Sequence, residues 1–265
     1  GKWLLDPASF IVAHVSGGDI TDTTINTNLQ TTNVVVNAAG DIVFNDDTVA
    51  IAFPISYSYG SLTFSAGGDI YLRGSITNDN YAVVPFSSVT LNAGGRIITP
   101  PGANLTLGGL YQLDVQVANG KTWDNYGTIN VGGMADIDLD TGTPATFHNQ
   151  SSGIVNFSSA QGWAFQSNNT TDAGVVVNDG LINVSASTAF EALFSQGSGG
   201  TLNVANTKTL NLQNAATVSG IVNLNATGAL NINEKHGGLA ATLSNVTFAG
   251  TGGALGIGGS MAFPG

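Results

Sequence analysis

One phrase returns three times in this chain at a nearly fixed interval. It is VVVNAAGDIVF from Val34 to Phe44, LTFSAGGDIYL from Leu62 to Leu72 and VTLNAGGRIIT from Val89 to Thr99. The last glycine of each copy is Gly40, Gly68 and Gly95, so the steps are 28 and 27 residues. A self-similar unit of this length marks stacked supersecondary structure and outweighs local propensity. Each unit is a strand, a glycine turn and a second strand. The spacing predicts a chain that coils into a parallel β-solenoid.

A second phrase carries the period onward: GTIN at Gly127, GIVN at Gly153, GLIN at Gly180, GTLN at Gly200 and GIVN at Gly220, with steps of 26, 27, 20 and 20. The shorter steps predict tighter corners. Leu202, Val204, Leu210, Leu212, Ile221, Leu224, Leu230 and Ile232 fall largely into doublets spaced by two, which places them on one face of short strands. Asn203, Asn211, Asn223, Asn225 and Asn231 then point outward or turn corners. Nothing holds a 3.6-residue period over a helix length, so almost no helix is expected. Val49 to Pro54 and Tyr81 to Phe86 are apolar enough to form extra strands. At about 27 residues per coil the chain makes about ten coils, a rod on the order of 45–50 Å long. The whole of 1–265 is expected to be one continuous solenoid, with the first phrase over 1–99 and the second over 100–265.

Charged residues make up only 9% of the chain, so Asn, Thr, Ser and Gly must cover the surface. The net charge of −11 reflects six Lys and Arg, too few for nucleic acid or an anionic membrane. No apolar run approaches a membrane-spanning helix, and membrane insertion is not expected. There is no cysteine, which suits a secreted rod whose core is large enough without disulfides. The opening GKWLLDP has no leader character, so the sequence is expected to be a mature chain or a segment of a longer one.

Trp3-Leu4-Leu5-Asp6-Pro7 resembles the W-L-L-D-P element of filamentous haemagglutinin-like exoproteins, the passengers of two-partner secretion. Thr24-Ile25-Asn26-Thr27-Asn28-Leu29, Thr32-Asn33-Val34-Val35-Val36 and Gly40-Asp41-Ile42 are similar to that family's following block, and the A-G-G copies near Asp69 and Arg96 to its repeat. The strong resemblance covers 1–99. It implies a right-handed β-helix exported across a Gram-negative outer membrane, with roles in adhesion, cell-surface interaction or toxin display. The family's secretion domain carries an Asn-Pro-Asn element, which is absent here, so the chain is expected to lie downstream of that domain.

Chemistry-bearing candidates are few. Asp136, Asp138 and Asp140 alternate with Ile137 and Leu139, so all three carboxylates project from one face. They could ligate Ca²⁺ through their oxygens, although neighbours on a strand stand about 7 Å apart. They could also serve acid–base chemistry, but the leading expectation is a solvated strand face. Asn45-Asp46-Asp47 and Asn78-Asp79-Asn80 suit Asx turns better than a sugar-cleaving groove. Such a groove also needs a His, Arg or Lys, and His14, His148 and His236 stand apart in sequence. Arg73 and Arg96 could approach one another across a coil. Trp123 and Trp163 are expected to fill a corner or cap an end before binding a sugar. The sequons, such as Asn104, Asn156 and Asn183, are too common in an Asn-rich chain to decide anything.

Three functions follow. The first is a rigid adhesive rod, whose partner is a host-cell or matrix glycan or protein. The second is a filament unit that stacks end to end on copies of itself. The third is a polysaccharide-cleaving enzyme. No catalytic residue and no cofactor are assigned, and catalysis is not expected because the acids lack basic partners. The expected location is extracellular, on the surface of a Gram-negative cell.

Overall fold

A computed structural model describes residues 8–53, 60–79, 86–139, 143–158, 164–167, 173–233, 241–258 and 261–262. It is an all-β parallel solenoid. One wall is a ten-stranded parallel sheet that begins at Val34–Ala38 and ends at Ala254–Gly258, each strand paired with its equivalent one coil away. Two further stacks form the remaining walls. One includes Ile42–Phe44, Ile97–Thr99, Thr122–Asn125 and Thr146–Asn149. The other includes Asn104–Gly108, Thr128–Val131, Ile154–Phe157 and Leu181–Val184. The nine-residue strand Ala216–Leu224 bends between them at Gly220, whose φ of 74° lies in the left-handed region.

The repeat phrases set the register. Ile42 pairs with Ile70 and Ile70 with Ile97, as the first phrase requires. Thr128, Ile154, Leu181, Thr201 and Ile221 stack successively, so the second phrase also marks equivalent positions and absorbs both 20-residue steps. Inward residues form one core. A column runs Phe10, Ile42, Ile70, Ile97, Trp123, Phe147, Val176, Phe194, Ala216. Trp123 is fully buried, meets Phe147 edge-on with ring centroids 5.5 Å apart, and donates from Nε1 to Thr99 Oγ1 at 3.0 Å. That satisfies the polar edge of a ring otherwise placed for its apolar area. Phe165 and Phe190 extend the aromatic cluster at 4.9 Å.

Beside this column the core holds an amide ladder. Asn125, Asn149 and Asn178 are fully buried and Gln196 nearly so. Asn125 Nδ2 donates to Asn149 Oδ1, Asn149 Nδ2 to Asn178 Oδ1, each at 2.8 Å, and Asn178 Nδ2 to Gln196 Oε1 at 2.9 Å. Each amide also donates to a corner carbonyl: Asn125 to Ile154, Asn149 to Leu181 and Asn178 to Thr201. A buried primary amide is tolerated because the next coil supplies its partner.

Among the described residues there is one α-helix, Asp22–Leu29. Sequence periodicity missed it because it has only two turns. Thr21 caps it, accepting from the Thr24 amide at 3.2 Å, and Ile25 and Leu29, four apart, are buried against the coil. Ala50–Phe53 is a strand, as its apolar character predicted.

Candidate functional site

Two clusters of ionisable side chains stand on the outer walls. The first is on the ten-stranded sheet. In Gln112–Val117, Leu113, Val115 and Val117 point inward, which sends Gln112, Asp114 and Gln116 outward. In Met134–Asp138, Ala135 and Ile137 are in the core, and Asp136 and Asp138 face out. Register places Asp114 opposite Asp136 and Gln116 opposite Asp138. The expected solvated face is corrected here: Asp114, Asp136 and Asp138 are only 7, 5 and 9% exposed. Gln116 Nε2 donates to Asp114 Oδ2 at 2.9 Å. Gln112 and Gln166 donate to Asp136 Oδ2 at 3.3 and 2.9 Å. Burial is the main cause that raises both acids, Asp114 to about 6 and Asp136 to about 8; the negative charge of Asp114 adds to the rise of Asp136, and that of Asp138 to both. Because the groups interact, these steps belong to the pair.

Asp140 lies outside the described residues, so the three-carboxylate calcium candidate is represented by Asp136 and Asp138. Among the described residues no group of three or more His, Asp or Glu is arranged to hold a metal ion. The partner that sequence reasoning missed is Asp114. Its strand carries no repeat phrase, and the 22-residue offset to Asp136 differs from every phrase step. Next to the pair runs a shallow groove of about 340 Å³ lined by Thr63, Thr90, Asn92, Gln116, Ala118 and Asn119.

The second cluster crosses another wall. Arg96 Nη1 donates to Asp124 Oδ2 at 2.7 Å, an ion pair joining a solvent-facing guanidinium to a buried carboxylate. Gln150 Nε2 reaches both Asp124 Oδ1 at 2.7 Å and His148 Nδ1 at 2.8 Å. An amide can only donate there, so Nδ1 accepts and the ring proton sits on Nε2, which donates to Asp179 Oδ2 at 2.9 Å. Both imidazole nitrogens are thus engaged. Arg96 is drawn to Asp124, whereas the positive charges that help lower the Asp46 pKa are His14 and Arg73, so the two arginines act on different acids.

The remaining candidates have local uses. His14 Nδ1 bonds Asp22 Oδ2 at 2.8 Å, and this bond raises the His14 pKa. Asp46 accepts from the Thr48 amide at 2.8 Å, an Asx turn as expected, and the Thr48 contacts lower its pKa. Asp47 and Asp79 accept from the amides of Asn104 and Leu110, each at 3.2 Å. Asn78 is buried and donates to the Gln112 carbonyl. Asn104, Asn156 and Asn183 belong to an outer amide ladder, Asn104–Asn130–Asn156–Asn183–Asn203–Asn223, with successive bonds of 2.6–2.8 Å. Trp163, His236, Asn80 and the Trp-Leu-Leu-Asp-Pro element with Trp3 lie outside the described residues.

No family model, no curated protein and no solved structure matches the chain.

Proposed function

We propose that this chain is the rod of a large bacterial exoprotein of the filamentous haemagglutinin kind, secreted or held at the surface of a Gram-negative cell, and that it works by adhesion. The observation that carries the reading is the outer amide ladder. It runs from Asn104 to Asn223 and covers one wall with a nearly uncharged, regularly spaced array of hydrogen-bonding groups. A wall of this kind meets hydroxyl and amide groups of a glycan or matrix protein at fixed spacing, while the backbone ladders give stiffness. The sequence resemblance over 1–99 points the same way. The ionisable clusters favour a structural role over catalysis. The carboxylates of the first are buried, and His148 in the second has no nitrogen left to act as a base.

A second reading, an end-to-end filament, is favoured by one observation. Phe248 and Leu255 are 49% and 37% exposed and line an apolar groove of about 300 Å³ with Leu224 and Gly253. A further coil stacked there would cover them.

Labelled chain applied to epithelial cells and to arrayed glycans tests the adhesive reading. Saturable binding that survives replacement of Asp136, Asp138 and Asp140 by Asn is expected. Turnover of any polysaccharide that disappears in the same triple variant overturns it in favour of an enzyme. Filaments of the purified chain in electron micrographs, without cell binding, favour the second reading.

A further inference from the structure

The Asp114 and Asp136 pair lacks something that any buried pair needs. Each carboxyl uses Oδ2 to accept amide hydrogens from Gln116, Gln112 or Gln166. Each Oδ1 is buried and has no hydrogen-bond partner. No ion pair between described residues involves either group. The neighbouring strand Phe86–Ala93 offers only Ser88 opposite Asp114. On the Asp136 side stand Asp138 in the same strand and Gln166 near it, with buried Glu191 one coil further, after Phe190. Among the described residues, the groups facing the pair are therefore neutral amides and hydroxyls, or further acids. Two ionised carboxylates in register in such a place would repel each other and leave two orphan acceptors. One proton between them removes both faults, because a carboxylic acid donates to its carboxylate neighbour.

We propose that Asp114 and Asp136 hold one shared proton across adjacent coils at neutral pH, and that its loss slackens the ten-stranded wall, so the rod is tighter in acid than in alkali. The sign follows from linkage. The unfolded chain releases both protons near pH 4, whereas the folded pair holds them up to about 6 and about 8. Between those limits the folded state binds more protons, so stability falls as pH rises. Ordinary acid denaturation runs the other way.

The test is thermal unfolding of the full chain from pH 5 to pH 9, in parent, Asp114→Asn and Asp136→Asn. An amide at either position supplies a permanent donor to the remaining carboxylate. The parent Tm should fall with pH, and the variants should lose roughly 5 °C or more of that fall. The parent-minus-variant difference removes the contribution of His14, whose raised pKa acts in the same direction. Equal slopes in parent and variants overturn the proposal. So does an alkaline Tm restored by millimolar Ca²⁺, which would mean that a cation fills the gap in place of a proton. Should a variant fail to fold, carboxyl-carbon NMR of the aspartate-labelled parent decides. Aspartate titration above pH 5.5 in the folded chain that is absent from the urea-unfolded chain supports the shared proton, and every aspartate titrating below pH 5 refutes it.

Discussion

At the scale of single residues, the solenoid makes the cost of a substitution depend on which way the side chain faces. Ile70 sits between Ile42 and Ile97 and is fully buried. Ile70→Asp places an unpaired charge there and should cost at least about 4 kcal/mol, seen as loss of the cooperative transition in urea. A variant that melts like the parent would show the column to be misassigned. The two amide ladders give a sharper contrast. Asn149→Ala removes the partner of one Asn125 amide hydrogen and of the Asn178 Oδ1 inside the core, and should cost about 2–4 kcal/mol. Asn183→Ala in the half-buried outer ladder leaves its neighbours open to water and should cost about 1 kcal/mol or less. Denaturant midpoints that reverse this order would contradict the inward assignment of Asn149. Ile42, Ile70 and Ile97 were legible in the sequence because a repeat aligns them. Asp114 was not, because alternation reports the direction of a side chain and says nothing of what packs over the outer face.

At the scale of elements, the glycines of the first phrase have a steric reason that no propensity scale contains. A Cβ on Gly94 would run into the carbonyl oxygen of Gly67 one coil away, and one on Gly67 would meet that of Ala39. The turns stack so closely that the neighbouring backbone occupies the side-chain position. Gly94→Ala must push two coils apart and should cost about 1–3 kcal/mol, measured by chemical denaturation. An unchanged midpoint would mean that the turns are not in contact. The turn carboxylates are part of the same stack, since Asp41 Oδ1 accepts the Asp69 amide and Asp69 Oδ1 the Arg96 amide at 2.8 and 2.7 Å. The aspartate of A-G-G-D-I is thus a rung of a ladder. The phrase located these turns in the sequence, but its chemistry became visible only when the coils were stacked. The helix Asp22–Leu29 is the opposite case. It is too short for periodicity to register, and its buried pair, Ile25 and Leu29, gains its value from the coil beneath.

At the scale of the whole molecule, each coil touches mainly the coils above and below, so the array should tolerate the loss of one unit if the loss keeps register. The second phrase identifies a suitable unit. Thr201 and Ile221 are equivalent positions, and so are Leu202 and Val222, Asn203 and Asn223, Val204 and Leu224. Removing residues 201–220 joins Gly200 to Ile221 and lets Ile221 to Leu224 pair directly with Leu181 to Val184. Inward residues stay inward, and Asn223 takes the place of Asn203 beneath Asn183. Phe194 exchanges Ala216 for Ala241, the equivalent buried alanine one coil further on. The shortened chain should fold with the same circular dichroism per residue and lose only a few degrees of Tm. Removing 201–211 instead is an odd number of residues and about half a coil. It reverses the parity of the rejoined stretch, driving Gln213 and then Asn223 into core positions and Leu212 and Val222 into water. That chain should not fold. If both deletions fold equally well, or both fail, the coils are not the independent, register-bound units that the two repeat phrases and the strand pairing describe.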